Sequence, residues 1–376
     1  MKTINFLTSH FLPENTACTN RVLAYINELE KTYKVNVICL TEKGVSLETK
    51  IVEYSENSTI YYLVQDDFDG KNFFKRAFYE MKYINKLINI SKSLESDITM
   101  ATSPYMFMIP FVALRVRGEK ILDIRDMVWE YLGENSFVGR VVKKILGLLM
   151  SFSMKYYDKV IVTNNYEYTL AKEKYSLKDI HIVPNGISEE NYKKLVSIKH
   201  EENSDFTVTY IGNLGLAQNI MTLIRAAEEL SDIEFIIIGD GIEANTLKKY
   251  VDTHSLKNIT FTGKLAWDEL SSYYKKSSML YAQLDQKFVS AMPSKLYEYT
   301  TIALPIVYGG VGEAKLFIDK LENAICIEPN NKDLLVQTIK EIRNKPVTIS
   351  HKNRELINSK FLREKVVKDI LKKLID

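Results

Sequence analysis

The stretch DQKFVSAMPSKLYEYTTIALPIVYGGVGE, residues 285–313, carries the fold of this chain. It reads as loop, short helix, strand and glycine turn. Pro293-Ser294 is a helix-start signal, with Ser294 able to cap and Tyr297 and Glu298 close behind. Pro305 stops the helix, and Ile306-Val307-Tyr308 is a short apolar strand halted by Gly309-Gly310. A helix start offers free backbone N–H groups and the positive end of the dipole, which suits a phosphate. Lys295 adds a mobile cation at that spot. Glu298 lies one turn on, about 6 Å along the axis and on the face of Ser294. A diphosphate held by Ser294 and Lys295 leaves its attached ribose near Glu298, whose carboxylate accepts from two hydroxyls. The same spacing is also that of an ordinary capped helix with a solvated glutamate.

Upstream of this stretch the chain alternates strands with helices. Strands are expected at residues 3–8, 34–40, 98–101, 120–124, 159–162 and 180–183, with helices at 19–30 and 166–175. This is the rhythm of a parallel, doubly wound sheet. Pro184-Asn185-Gly186 marks a turn, and the polar run 188–205 reads as a linker, in part helical. A second alternating unit follows, with strands at 207–211, 234–238, 259–262, 279–282 and 306–308 and helices at 220–230 and 244–252. The charged tail 352–376 reads as a last helical segment. The expected division is residues 1–185, a linker at 186–205, a second domain at 206–345 and a C-terminal segment at 346–376.

A length of 376 residues suits two domains that each bury a core. A hydrophobic share of 46% and a charged share of 26% are those of a soluble globular protein. The net charge of +2 argues against general nucleic-acid binding. Cys18, Cys39 and Cys326 are odd in number and far apart, which implies neither a disulfide framework nor a zinc site, and suits a reducing cytoplasm. Residues 1–11, interrupted by Asn5, Ser9 and His10, read as a buried first strand rather than a signal peptide. The apolar runs 105–114 and 145–154 are core-sized, so no membrane span is expected.

PSKLYEYTTIALPIV, residues 293–307, resembles the donor-site helix of the retaining GT-B glycosyltransferases of family 4. It is most similar to the bacterial branch that transfers N-acetylated amino sugars of the N-acetylfucosamine type in surface-polysaccharide assembly. Further landmarks recur in the family's order across nearly the whole chain. The resemblance implies an α/β fold of the GT-B kind, two Rossmann-like domains facing across a cleft, with residues 346–376 crossing back onto the N-terminal domain. It implies as donor-binding residues Ser294, Lys295, Leu296 and Glu298, with Asn213, Leu214, Gln218, Asp240, Gly241, Leu265 and Ser290.

Each of those segments also has a reading of its own. Tyr210 to Asn219, YIGNLGLAQN, is a strand, a glycine loop and a helix start, where backbone approaches a ligand and Asn213 and Gln218 offer neutral donors. It is similar to the family's first donor loop, in which many relatives place an Arg and a Lys. With Asn213 and Gln218 there, more of the phosphate's charge falls to Lys295 and the helix start. Gly239-Asp240-Gly241 is a common strand ending that sits behind the nucleotide in the family pattern. Thr260 to Leu265, TFTGKL, resembles the segment whose backbone reads the base, and contacts through Leu265 would suit uracil. The family's donor signature has two glutamates. Glu298 matches the second, and the first falls on Ser290, which has no carboxylate to make that sugar contact. A deoxy or N-acetylated sugar read by the 288–292 loop is one explanation.

In the first half, Leu12 to Ala17 followed by Arg21 resembles the loop between first strand and first helix. That loop faces diphosphate and acceptor, with Asn15, Thr16 and Ala17 as candidate contacts, although a capped turn has the same sequence. Leu122 to Glu130, LDIRDMVWE, places charges directly after a buried strand, where they point into a cleft or form a structural Arg–Asp pair. A histidine stands at the Arg125 position in many relatives. Arg125 cannot act as a base. Asp126 is the candidate catalytic residue, orienting the acceptor hydroxyl or taking its proton, with Arg125 beside it. Two basic, apolar stretches, 71–92 and 138–155, suit core-facing helices with a solvated basic edge, and also helices lying on an anionic bilayer.

The resulting expectation is a cytoplasmic, membrane-peripheral transferase. It uses a UDP-sugar donor substrate, no cofactor and no metal, and a polyprenyl-diphosphate-linked glycan acceptor. Retention in this fold is thought to proceed by attack on the face of the departing diphosphate, so the protein positions groups and stabilises the leaving group. A UDP-sugar epimerase or hydrolase on the same architecture, and a donor-binding but inactive partner subunit, stay open beside it.

Overall fold

The computed structural model describes residues 1–14, 16–41, 48–66, 73–103, 105–132, 136–200 and 205–375, and side chains other than those of residues 73, 74 and 138. The chain divides into two compact units, Met1–Asn185 with Arg363–Asp376, and Gly186–Leu362.

The first unit is built on β1 (Thr3–Leu7), β2 (Lys34–Leu40), β3 (Lys50–Ser55), β4 (Ser58–Leu63), β5 (Ile98–Thr102), β6 (Glu119–Asp123), β7 (Lys159–Val162) and β8 (Ile180–Ile182). They lie in the order β3-β4-β2-β1-β5-β6-β7-β8. All pairs are parallel except β3 with β4. β5, in mid-sheet, is buried at every position, as a strand covered on both faces must be. The exposed edge strand β3, KIVEYS, mixes apolar and polar residues on both faces and so lacks an alternating signal, and the sequence reading missed its hairpin with β4. Helices Ala17–Leu29 and Arg363–Ile375 pack together on one face, burying Val22, Ile26, Val367 and Leu374.

The second unit holds β9 (Thr207–Ile211), β10 (Glu234–Ile238), β11 (Ile259–Gly263), β12 (Met279–Gln283), β13 (Ile306–Gly309) and β14 (Ala324–Ile327). Their order is β11-β10-β9-β12-β13-β14, every pair parallel. The order reverses between β9 and β12, and such a switch point leaves a crevice at the carboxyl ends of the strands. Leu280, Ile306 and Leu296 are fully buried beneath it. Each such side chain contributes about 1.5–3 kcal/mol by burial.

Three expectations about boundaries change. In the run expected as a linker, Ser188 caps a helix, Glu189–Val196, whose Leu195 is buried in the second unit's core. In the segment expected to cross back whole, residues 346–362 stay with the second unit and only Arg363–Asp376 belongs to the first. Arg354 explains why: its guanidinium donates to Thr301 O and Ile302 O, at 3.0 and 3.2 Å, and ties the His351–Lys360 helix to the carbonyl end of the 294–302 helix. Ser294 is not the cap of that helix. Pro293, with φ −59° and ψ 126°, is the flanking residue, and Ser294 is the first helical one.

Candidate functional site

The turns after β9, β10 and β11 meet at one end of the second sheet. Leu214 N–H donates to Asp240 O at 2.9 Å, and Glu243 N–H donates to Leu214 O at 2.9 Å. Backbone therefore lies on backbone, and Gly239 is the residue that allows it. A Cβ there would come within 1.8 Å of Gly212 O, and its φ of +144° disfavours any other residue. The helix that follows β12, Ser294–Ile302, is pinned to the same turns. Ile211 N–H donates to the Tyr299 hydroxyl at 2.8 Å, deep in the core.

These elements enclose a cavity of about 520 Å³ lined by Ile211, Gly212, Asn213, Ile238, Gly239, Asp240, Gly241, Lys264, Leu265, Leu270 and Lys295. That volume is ordinary for a small-molecule site. Of the donor-binding residues expected from the sequence, it gathers Asn213, Asp240, Gly241, Leu265 and Lys295. Gln218 stands at its edge, where its Oε1 accepts from Asn213 Nδ2 at 3.4 Å. Ser294 is exposed at the helix start.

The others fall elsewhere. Leu214 and Leu296 are core residues, 1% and 0% exposed. Their backbone N–H groups are already engaged by Asp240 O and Pro293 O. Ser290 is buried too, in the loop whose Val289 O receives Glu313 N–H, so its side chain does not line the cavity. The alternation of polar and apolar residues around these positions does not reveal that the helix start and glycine loop are themselves packed against the sheet.

Lys295 and Glu298 stand together, Nζ to Oε2 at 2.6 Å, with both side chains partly open to solvent. The Tyr274 hydroxyl donates to the same oxygen at 3.4 Å. Burial holds that phenol protonated far above its ordinary range, so it remains a donor. The cation expected to meet a phosphate and the carboxylate expected to meet a ribose thus begin as partners. Lys264 is the residue that the reading of the sequence left out. It follows the left-handed Gly263 (φ +76°) and lines the cavity as a second cation. Its place in TGKL, directly after a strand, was the available signal.

In the first unit the charges after β6 divide. Asp123 is fully buried with Arg21, whose Nη2 lies 2.6 Å from Oδ1. Arg21 Nε also donates to both carboxylate oxygens, and Thr102 Oγ1 donates to Oδ2 at 3.0 Å. This is a structural pair. Arg125 and Asp126 are different: Arg125 Nε and Asp126 Oδ1 are buried without a hydrogen-bond partner among the described residues. Burial pushes the Asp126 carboxyl up to about 6, against the pull of Tyr131, the Met127 N–H and Arg125. Glu167, which the sequence did not single out, is buried at the start of the Asn165–Glu173 helix. Its carboxylate accepts from Thr163 N–H and Oγ1, at 2.9 and 2.7 Å. Desolvation outweighs those bonds and pushes it up to about 8, with the Asp126 charge adding to the rise.

Thr16 caps the Ala17–Leu29 helix, its Oγ1 accepting from Thr19 N–H at 3.2 Å. Ala17 is that helix's first, exposed residue. Asn15 lies outside the described residues.

Two α/β units with parallel sheets, the second bearing a cation-lined cavity at its switch point, define the class: the fold is that of the GT-B glycosyltransferases. Sucrose-phosphate synthase from Thermosynechococcus elongatus shares it with a TM-score of 0.78 at 14% identity, over 100% of this chain and 98% of that one. So does Anabaena HepE in complex with UDP and glucose, with a TM-score of 0.67 at 13% identity, over 100% and 99%. Residues 191–360, most of the second unit, match the family model described as glycosyl transferases group 1.

Among curated proteins, an uncharacterized glycosyltransferase of Methanocaldococcus jannaschii is 24% identical over 57% of this chain. A protein of Escherichia coli K12 named for glycosyl transfer in colanic acid biosynthesis, WcaI, is 28% identical over 36% of it. The matches span 58% and 34% of those relatives' own lengths.

Proposed function

We propose that this protein is a retaining glycosyltransferase that moves an N-acetylated amino sugar from a UDP-sugar to a lipid-linked oligosaccharide in O-antigen or capsule synthesis. The observation that carries the reading is the cavity at the ends of β9, β10 and β11, where Lys264 and Lys295 supply cations beside a helix start. A diphosphate there gains charge-assisted hydrogen bonds without a metal. As the sugar departs, the same groups stabilise the charge that develops on the leaving diphosphate. Asp126 is the group assigned to the acceptor's hydroxyl proton, since its raised pKa suits a base near neutral pH. The UDP and glucose of the HepE complex and the colanic acid role in the name of the E. coli relative support a nucleotide-sugar donor and a polysaccharide product.

The test is product analysis with labelled UDP-sugars, with and without polyprenyl-diphosphate-linked acceptor, in buffer containing EDTA. Transfer to the acceptor with retained anomeric configuration is expected. Free sugar or an epimerised donor in place of glycoside would make the protein a hydrolase or epimerase, and UDP-sugar binding with no turnover would make it an inactive partner subunit.

A further inference from the structure

The helix Phe137–Met154 is apolar on two opposite sides. Leu146, Met150 and Met154 are buried in the first unit's core. Facing solvent are Phe137, Val141, Ile145, Leu148 and Phe152, of which Phe137, Ile145 and Leu148 are 74%, 59% and 65% exposed. At about 100° per residue these five fall within an arc of about 80°, a continuous stripe along the helix. Contiguous apolar surface of this kind marks an interaction site. Along one flank of the stripe run Lys144 and Arg140, about 20° and 60° from its edge by the same count, with Lys143 further round toward the core side, and the helix sequence contains no acidic residue. Beside them a groove of about 450 Å³ is lined by Arg140, Lys143, Lys144, Gly147, Leu148 and Lys174, the last of which pairs with Glu130 at 2.6 Å.

We infer that this face docks on an anionic membrane surface, with the helix lying in the interface and the groove receiving lipid phosphate. Charge decides the occupant. A second copy pairing antiparallel through this stripe would bring the same cations to one side of the seam, which repels. An anionic bilayer meets both the cations and the apolar stripe. No helix among the described residues is long and apolar enough to cross a membrane, so the helix lies on it.

The other basic stretch does not share the role. In the helix Phe73–Ser93, Tyr83, Ile84, Leu87 and Ile88 are buried. Arg76 pairs with Glu80 at 2.8 Å, and Lys82 pairs with Asp66 at 2.9 Å. Of its described side chains only Phe78 is a large exposed apolar one. This inference deepens the proposed function by naming the surface through which a lipid-linked acceptor is reached. Its measurement needs no donor.

The experiment is co-sedimentation of the full chain with vesicles of phosphatidylcholine alone or with phosphatidylglycerol added, at low and high salt. UDP-induced thermal shift and oligomeric state are read on the same samples. The wild type should bind the anionic vesicles at low salt. Lys143→Gln with Lys144→Gln should weaken that binding about 30-fold. Ile145→Ser with Leu148→Ser should weaken it on the order of 10-fold, both pairs keeping the UDP shift. Lys75→Gln with Arg76→Gln should bind as the wild type does. Indifference of the wild type to anionic vesicles overturns the inference, as does equal release by the Lys75/Arg76 pair. A wild-type dimer that Ile145→Ser with Leu148→Ser turns into monomer, with vesicle binding unchanged, assigns the stripe to a second copy instead. Loss of the UDP shift in the wild type would remove the proposed donor site and leave the vesicle result standing.

Discussion

Beyond β9, β10 and β11 the second unit presents lysines and close-packed backbone, whereas beyond β6 and β7 the first unit presents carboxyls largely sealed from water. The sheets share a strand order around their switch points, so topology does not make the difference. In the second unit Gly239 lets two turns touch, and Lys264 and Lys295 line a cavity wall, Lys264 exposed and Lys295 partly so. In the first, Asp126 and Glu167 are drawn under the surface, where desolvation favours their protonated forms. On the proposed function, one end holds an anion and the other holds and releases a proton. Arg21 and Asp123 lie in the same region but pair with each other in the core.

Four substitutions test that contrast. The largest effect should come from Asp126→Asn. Loss of a positioned base lowers kcat by about 10²–10⁴-fold. In the wild type kcat should rise with pH through about 6 and then level, because the base acts when ionised. The stability sign is the reverse. With the folded carboxyl raised from 3.8 to about 6, its stabilising contribution is full below the unfolded value and is lost as pH rises through about 6. Urea midpoints of Asp126→Asn should lack that decline. An unchanged pH–rate profile in the Asn variant would remove Asp126 from the chemistry.

Arg21→Ala should be the next largest. Leaving Asp123 buried and unpaired destabilises by about 3–5 kcal/mol, read as a urea midpoint. UDP binding by whatever remains folded should persist, because the donor cavity belongs to the other unit. A loss below about 1 kcal/mol would mean that the pair behaves like a surface ion pair.

Glu298→Ala removes the carboxylate proposed to accept from the ribose hydroxyls, an interaction worth about 1.5–3 kcal/mol, so donor KM should rise by about 10–150-fold. It also releases Lys295 from its 2.6 Å partner. Unaltered steady-state kinetics would show the helix to be structural only. Lys264→Ala should give the smallest change, a rise in donor KM of about 2–5-fold, since an exposed cation is screened by water and salt. Raising salt should shrink this difference faster than that of Glu298→Ala. An effect of Lys264→Ala as large as that of Glu298→Ala would show Lys264 to be desolvated when donor is bound.

Much of the fold was legible, for local reasons. β2, β7, β9 and β10 begin and end where the sequence reading placed them, and the turns Gly212–Gly215 and Gly239–Gly241 follow strands as expected. The β3–β4 hairpin was not legible, because an exposed edge strand carries polar residues on both faces. The split of the C-terminal helices was hidden as well. It depends on Arg354 finding the carbonyls of Thr301 and Ile302, residues far from it in the chain.

Within the candidate site the residue types were readable and their exposure was not. Lys295, Glu298, Asn213, Asp240 and Asp126 stand out by type and by position after a strand or at a helix start. That Leu214, Leu296 and Ser290 are sealed into the core, that Glu167 is buried near Asp126, and that Lys264 reaches the cavity are facts of packing.

The sequence by itself determined two parallel α/β sheets, because period and turn chemistry are properties of neighbouring residues. It also determined the helix start at 293–298 that a phosphate would seek. Only the tertiary structure decided which charges are buried, paired or open, and which of two basic helices turns an apolar stripe to solvent. Burial and pairing depend on residues brought together from distant parts of the chain, and desolvation, which sets the state of Asp126 and Glu167, has no local signature.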